Sequence, residues 1–122
     1  MNSGKPTLIL GASTNPYRIS FEAVLRLKSR NEKVYLIGRN KGEIQGIPVH
    51  IKIENWNDVH TVSIYLNKAN QLEYYDALLA LKPQRVIFNP GAENFEFFKL
   101  LQDAGIEVEN ACTLVLLGTS QY

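Results

Sequence analysis

The stretch that most constrains this chain runs from Thr7 to Phe21. A short apolar run, Thr7-Leu8-Ile9-Leu10, has the length of a strand and breaks at Gly11. A polar loop follows. Apolar residues then recur at helical spacing, with Phe21, Val24 and Leu25 on one face and Lys28 at the next turn of that stripe. Strand, glycine turn and helix start, in that order, make an anion site. The first N–H groups of a helix have no intrahelical acceptor, and its dipole places partial positive charge beside them. Gly11 has no Cβ, so a ligand can approach its backbone closely. Ser13 and Ser20 add hydroxyls, and Arg18 adds a fixed cation with a planar fork suited to phosphate. Ser20 also reads as the helix N-cap. A bare strand-to-helix connection would need only the glycine. In that reading Arg18 lies in water or pairs with Glu22 one turn along. The grouping of Ser13, Arg18 and Ser20 around the helix start favours an anion. The loop lacks the further glycines of the dinucleotide fingerprint and the Gly-Lys-Ser/Thr of a P-loop.

Beyond this stretch, strand and helix patterns alternate along the chain. Lys33 to Gly38 reads as a second strand, apolar enough to be covered on both faces. Arg39-Asn40-Lys41-Gly42 reads as a polar turn, and Val49 to Ile53 as an edge strand after Pro48. Asn55 to Asp58 forms a short connection, and His60 to Leu66 is a β-rich strand. Asn70 is expected to cap a helix through Leu81, with Leu72, Tyr75, Leu78 and Leu79 at helical spacing. Arg85 to Phe88 is the next strand. Ala92 to Ala104 reads as a helix, with Phe95, Phe98, Leu101 and Gln102 about a turn apart and Gly105 ending it. Ile106 to Glu109 is a last strand, and Thr113 to Leu117 a short helix. Leu114 to Leu117 is expected to be core or a homodimer face. The expected fold is α/β, a doubly wound, mainly parallel sheet of five or six strands with helices on both faces, in one domain over residues 1–122.

Composition bounds the partners. The chain has 122 residues, 45% of them hydrophobic and 20% charged, as a globular domain should. No apolar run approaches a membrane span, and Met1 to Pro6 lacks an apolar signal segment. The single Cys112 excludes an internal disulfide. A cytoplasmic protein without a membrane partner is the expectation. Residues 1–52 carry a net charge of +6 and residues 53–122 a net charge of −5, so an anionic ligand belongs to the first half. Arg26, Lys28, Arg30 and Lys33 fit a solvated helix face. No stripe of basic and aromatic residues suggests a nucleic acid. His50 and His60 have no metal-ligand spacing, Trp56 reads as core or pocket wall, and no catalytic constellation is legible.

In a doubly wound sheet the ligand lies beyond the carboxyl ends of the strands, where strand order reverses. That topology gathers the Gly11 loop, Gly38-Arg39, Leu66-Asn67-Lys68 and Asn89-Pro90-Gly91 round one crevice. An NAD site would want an acid after the second strand to take the ribose hydroxyls. Gly38-Arg39 stands there instead, and Arg39 would attract a ribose phosphate. NADP and coenzyme A both carry one. A reductase that binds NADP, a nucleotide sensor, and an interaction module with a vestigial pocket remain open on the residues alone.

The series Gly-x-Ser-x-x-Pro-x-Arg-x-Ser, met by Gly11, Ser13, Pro16, Arg18 and Ser20, resembles the small CoA-binding domain proteins. These are Rossmann-like domains similar to the CoA-binding domain of the succinyl-CoA synthetase alpha subunit. The resemblance extends over nearly the whole chain. It implies coenzyme A or an acyl-CoA as ligand, its diphosphate held by Arg18 and the backbone N–H groups of Ala12 and Ser13. Asn89-Pro90-Gly91-Ala92-Glu93-Asn94 looks like the family's loop after a later strand, which adds Asn94 to the implied site. Glu93 there could also be a favourable contact with a helix dipole. Cys112 resembles a cysteine the family often carries near its C-terminus. Many relatives place Asp-Arg before it and Pro after it, where this chain has Asn110-Ala111 and Thr113. Cys112 is therefore expected to be a small packed thiol without a catalytic part. Disulfide exchange with the CoA thiol would need an exposed thiolate of low pKa.

Overall fold

Alternation along the strands sorts the core into two layers. In β1 (Thr7–Ala12) Leu8 and Leu10 face one side of the sheet and Ile9 the other, and all three are fully buried. The computed structural model describes residues 4–122. Met1 to Ser3, part of the stretch read above as lacking a signal segment and of the 1–122 domain, lie outside the described residues. The chain continues through α1 (Ile19–Ser29), β2 (Val34–Gly38), β3 (Gly42–Ile44), β4 (Ile47–His50) and β5 (Thr61–Ile64). Then come α2 (Tyr75–Leu81), β6 (Arg85–Phe88), α3 (Phe95–Asp103), β7 (Glu107–Asn110) and α4 (Thr113–Gly118). The sheet order is β3-β4-β2-β1-β5-β6-β7, parallel except for β3 against β4. This is the α/β doubly wound, Rossmann-like architecture, with seven strands where five or six were expected.

The additional strand comes from a hairpin. Gln45 and Gly46 both have positive φ, 53° and 85°, which gives the two-residue turn that antiparallel strands favour. Gly42, read as the end of a polar turn, is therefore the first residue of a strand, and β3 rather than β4 forms the sheet edge. Helix α1 begins at Ile19, with Arg18 in the cap position, so Ser20 lies buried inside the first turn and is not the N-cap. Its buried face is Ser20, Ala23, Val24 and Leu27, rotated from the expected one, because small residues let the helix sit close on the sheet. Helices α1 and α4 cover one face, where Leu117 is core and Val115 is exposed. Tyr75 and Leu78 of α2 and Phe97 and Leu101 of α3 join the core on the other.

The later helices start further along than their apolar spacing suggests. Asn67, not Asn70, is a cap: its side chain accepts from the Asn70 N–H at 3.1 Å and closes a 3₁₀ turn, Lys68–Asn70. A second such turn, Leu72–Tyr74, precedes α2, so Leu72 is exposed. Helix α3 starts at Phe95, capped by the Asn94 carboxamide, and turns Phe97 inward while Phe95 lies in water. Trp56 stacks on Tyr35, with ring centroids 4.6 Å apart, and meets the edge of His50. It is a packing residue. Among the described residues no helix is long and apolar enough to cross a membrane, and no group of His, Cys, Asp or Glu is placed to hold a metal.

Candidate functional site

Sheet order reverses at β1, which pairs with β2 on one side and β5 on the other. Its carboxyl end opens onto a crevice of about 560 Å³, with a side lobe of about 270 Å³ beside it. Such volumes are those of small-molecule sites. Two glycines shape the floor. Gly11 has φ of +105°, at an irregularity in the β1–β2 register, and a Cβ there would stand 3.0 Å from the Leu66 backbone nitrogen. Gly38 lies so close to β1 that a Cβ would stand 2.4 Å from the carbonyl oxygen of Ala12.

The loop from Ser13 to Arg18 is folded by its own short side chains. Ser13 Oγ accepts from the Asn15 N–H at 3.1 Å, and Asn15 Oδ1 accepts from the Tyr17 N–H at 3.0 Å. The Arg18 N–H closes the turn onto the Asn15 carbonyl at 3.0 Å, round Pro16. These are the local bonds by which Ser and Asn make turns. The Ser13 hydroxyl keeps its own proton to donate. Among the described residues the N–H groups of Ser13 and Thr14 have no acceptor within the chain. Those of Ile19 and Ser20 lie in the first helical turn, where no intrahelical acceptor exists.

Charge on the wall is of one sign. Arg18, Arg39 and Lys41 line the main crevice, and no described carboxylate does. None of the three takes part in an ion pair among the described residues. Glu22, the carboxylate one turn beyond Arg18, pairs with Arg26 at 3.0 Å instead. The side lobe is more apolar, with Ile37, Ile51, Leu66 and Tyr74, and carries Glu73. Tyr65 lines the main crevice, and burial pushes its phenol up to about 12, so it stays protonated.

Of the expected site residues, the structure brings Gly11, Ala12, Ser13, Arg18, Ser20, Arg39, Asn67, Pro90 and Gly91 to the main crevice, and Gly38 to the side lobe. Pro16 and Lys68 are exposed and off the wall. Asn89 and Asn94 are buried and spent internally. Asn89 Nδ2 donates to Ser63 Oγ at 2.9 Å and to the Ile64 carbonyl at 2.8 Å, while Oδ1 accepts from the Thr113 N–H at 2.8 Å. Asn94 Nδ2 donates to Gln71 Oε1 and Tyr75 Oη at 2.9 and 2.8 Å. Gln71 in turn ties down the carbonyls of Leu66 and Ala92. Both asparagines hold the loops after β5 and β6 in place rather than facing the crevice. Pro90-Gly91 makes a tight turn, with Gly91 at φ of +94° and the Ala92 N–H bonded to the Asn89 carbonyl. Glu93 accepts from the Gly91 N–H at 2.9 Å, so that donor is already taken. Cys112 is half-buried at the cap position of α4.

Sequence reasoning missed Thr14, Lys41, Asn70 and Tyr65 on the wall. Lys41 carried a legible signal, a second cation two residues after Arg39. Tyr65 did not, because it read as strand interior, and β5 ends one residue before it.

Fold and crevice together define a Rossmann-like α/β domain whose strand-end crevice is cationic. The chain belongs to the CoA-binding domain family: the family profile described as "CoA binding domain" matches residues 5–118. Among solved structures it is similar to one titled only as an uncharacterized protein, at 43% identity and a TM-score of 0.95, covering 99% of this chain and 100% of that one. It is also similar to "cell-free ID.343" from Thermus thermophilus, at 23% identity and a TM-score of 0.85 over 98% and 91% of the two chains; that likeness shows the fold alone. A conserved hypothetical protein from Pyrococcus furiosus matches at 25% identity and a TM-score of 0.77, over 91% and 97%. A search of curated proteins finds no match.

Proposed function

We propose that this chain binds coenzyme A, with the diphosphate on the Gly11 loop and the start of α1. The observation that carries this reading is the charge of the crevice: among the described residues Arg18, Arg39 and Lys41 take part in no ion pair, and the wall they line carries no carboxylate. Coenzyme A presents two phosphate groups in its diphosphate and a third on its ribose. Arg18, with the N–H groups of Ser13 and Thr14, suits the diphosphate. Arg39 and Lys41, in the loop after β2, suit the ribose phosphate. The neutral stretch of wall at Asn67, Pro90 and Gly91 is left for the uncharged pantetheine arm. Family membership agrees with this ligand. The crevice places no nucleophile and base together, so binding, not catalysis, is the proposed role.

The ribose phosphate gives the test. Coenzyme A and its dephospho form differ in that group alone. Calorimetric titration is expected to show coenzyme A binding about tenfold or more tightly than dephospho-coenzyme A, the scale of one charge-assisted contact. In an Arg39→Ala, Lys41→Ala double variant the two affinities should converge. Equal affinities in the unaltered protein would contradict the assignment of Arg39 and Lys41.

A further inference from the structure

The side lobe differs in chemistry from the crevice it adjoins. The two share Gly11, Arg39, Leu66 and Asn70, so a ligand can pass from one into the other. Beyond that shared wall the lobe is lined by Ile37, Ile51 and Tyr74, and it holds the one carboxylate among the lining residues, Glu73. The Tyr74 hydroxyl donates to the Ile51 carbonyl at 3.4 Å, which ties the turn Leu72–Tyr74 to the chain after β4. Burial, and then the charge of Glu73, push the Tyr74 phenol up, so that carboxylate acts on the lobe's own wall. Ile51 leaves 48% of its surface in water there. Glu73 and Arg39 line the same lobe without pairing, and Glu73 takes part in no ion pair among the described residues.

An apolar lobe with a carboxylate repels phosphate and suits a flat, uncharged group that carries N–H donors. Arg39, on the wall common to both spaces, fixes which part of the ligand that is. A ribose whose phosphate meets Arg39 carries its base on the same sugar ring, one bond from it, and the lobe is the apolar space beside Arg39. We propose that the side lobe holds the nucleobase of the ligand, and that Glu73 accepts a hydrogen bond from the exocyclic amine of adenine. This rests on the coenzyme A reading and adds the residue that selects its base. A site built to accept from an N–H discriminates strongly against an analogue that lacks it, because the acceptor is then left without its partner.

The test compares coenzyme A with 1,N6-etheno-coenzyme A by calorimetry. The etheno bridge removes the hydrogens of the adenine amine and leaves the phosphates and the thiol unchanged. The unaltered protein is expected to bind coenzyme A about tenfold or more tightly than the etheno form. In Glu73→Ala the affinity for coenzyme A should fall about tenfold while that for the etheno form does not fall, so the ratio of the two approaches one. Ile51→Ser should weaken both ligands alike, since it alters the apolar wall and not the acceptor. Equal affinities in the unaltered protein would overturn the proposal while leaving coenzyme A binding intact. A ratio undiminished in Glu73→Ala would show that shape alone excludes the etheno ring, and would overturn the role of Glu73. Affinities unchanged in Ile51→Ser would place the base outside the lobe. Failure to bind either ligand would defeat the coenzyme A reading itself, and this proposal with it.

Discussion

Arg18→Ala is expected to weaken coenzyme A binding about ten- to a hundred-fold, at roughly 1.4 kcal/mol per decade. Arg18 stands where a phosphate would be held. It occupies the cap position of α1, on the crevice wall, and its backbone is fixed by the turn from Asn15. Its natural internal partner, Glu22, is engaged with Arg26. An unpaired guanidinium beside unpaired backbone donors is preorganised for a phosphate, and a charge-assisted bond of that kind contributes roughly 1.5–3 kcal/mol. Arg18→Lys should recover only part of the loss, since an ammonium lacks the planar fork. The affinity of the unaltered protein should fall with added salt, and that slope should flatten in Arg18→Ala, because the contact is partly exposed and therefore screened. Titration of the three proteins at two salt concentrations measures all of this. An Arg18→Ala affinity and salt slope matching those of the unaltered protein would remove Arg18 from the site.

The largest effect on stability is expected at Gly38. An alanine there would put its Cβ 2.4 Å from the Ala12 carbonyl oxygen and 3.0 Å from Val49 Cγ1. The first of these is backbone in the central strand, and it cannot swing aside as a side chain would. Strands β1 and β2 would have to part where they form the crevice floor. Overpacking of this kind costs about 3 kcal/mol, which for a domain of this size lowers the melting temperature by roughly 10 °C. Gly118→Ala is the control, since nothing lies within 4 Å of a Cβ at that position. Thermal unfolding followed by circular dichroism checks both. A Gly38→Ala protein that melts with the parent would show that the two strands are not held as close as described.

Much of this architecture was legible because parallel strands covered on both faces read as short apolar runs. Leu8 to Leu10, Val34 to Gly38 and Val86 to Phe88 announced themselves in that way. Gly11, Ser13 and Arg18 were legible as a group because the loop that holds them is built from local interactions, which sequence spacing encodes. The β3–β4 hairpin was not, because Gln45-Gly46 is an uncommon pair for a turn with two positive φ angles. Helix faces were misread at Phe95 and Leu72 because apolar spacing assumes that every apolar residue is buried. Both residues are exposed. Asn89 and Asn94 show the opposite error. Their residue type and position after a strand suggested ligand contacts. Which way an asparagine faces depends on partners distant in sequence, here Ser63, Thr113, Gln71 and Tyr75.

NADP is the sharpest rival to coenzyme A as the ligand, because Arg39 would attract either ribose phosphate. Competition for the same crevice decides between them. In parallel calorimetric titrations of the purified protein, coenzyme A is expected to bind at one site per chain and more tightly than NADP or NAD. Tighter binding of NADP, or no binding of coenzyme A at all, would contradict the account.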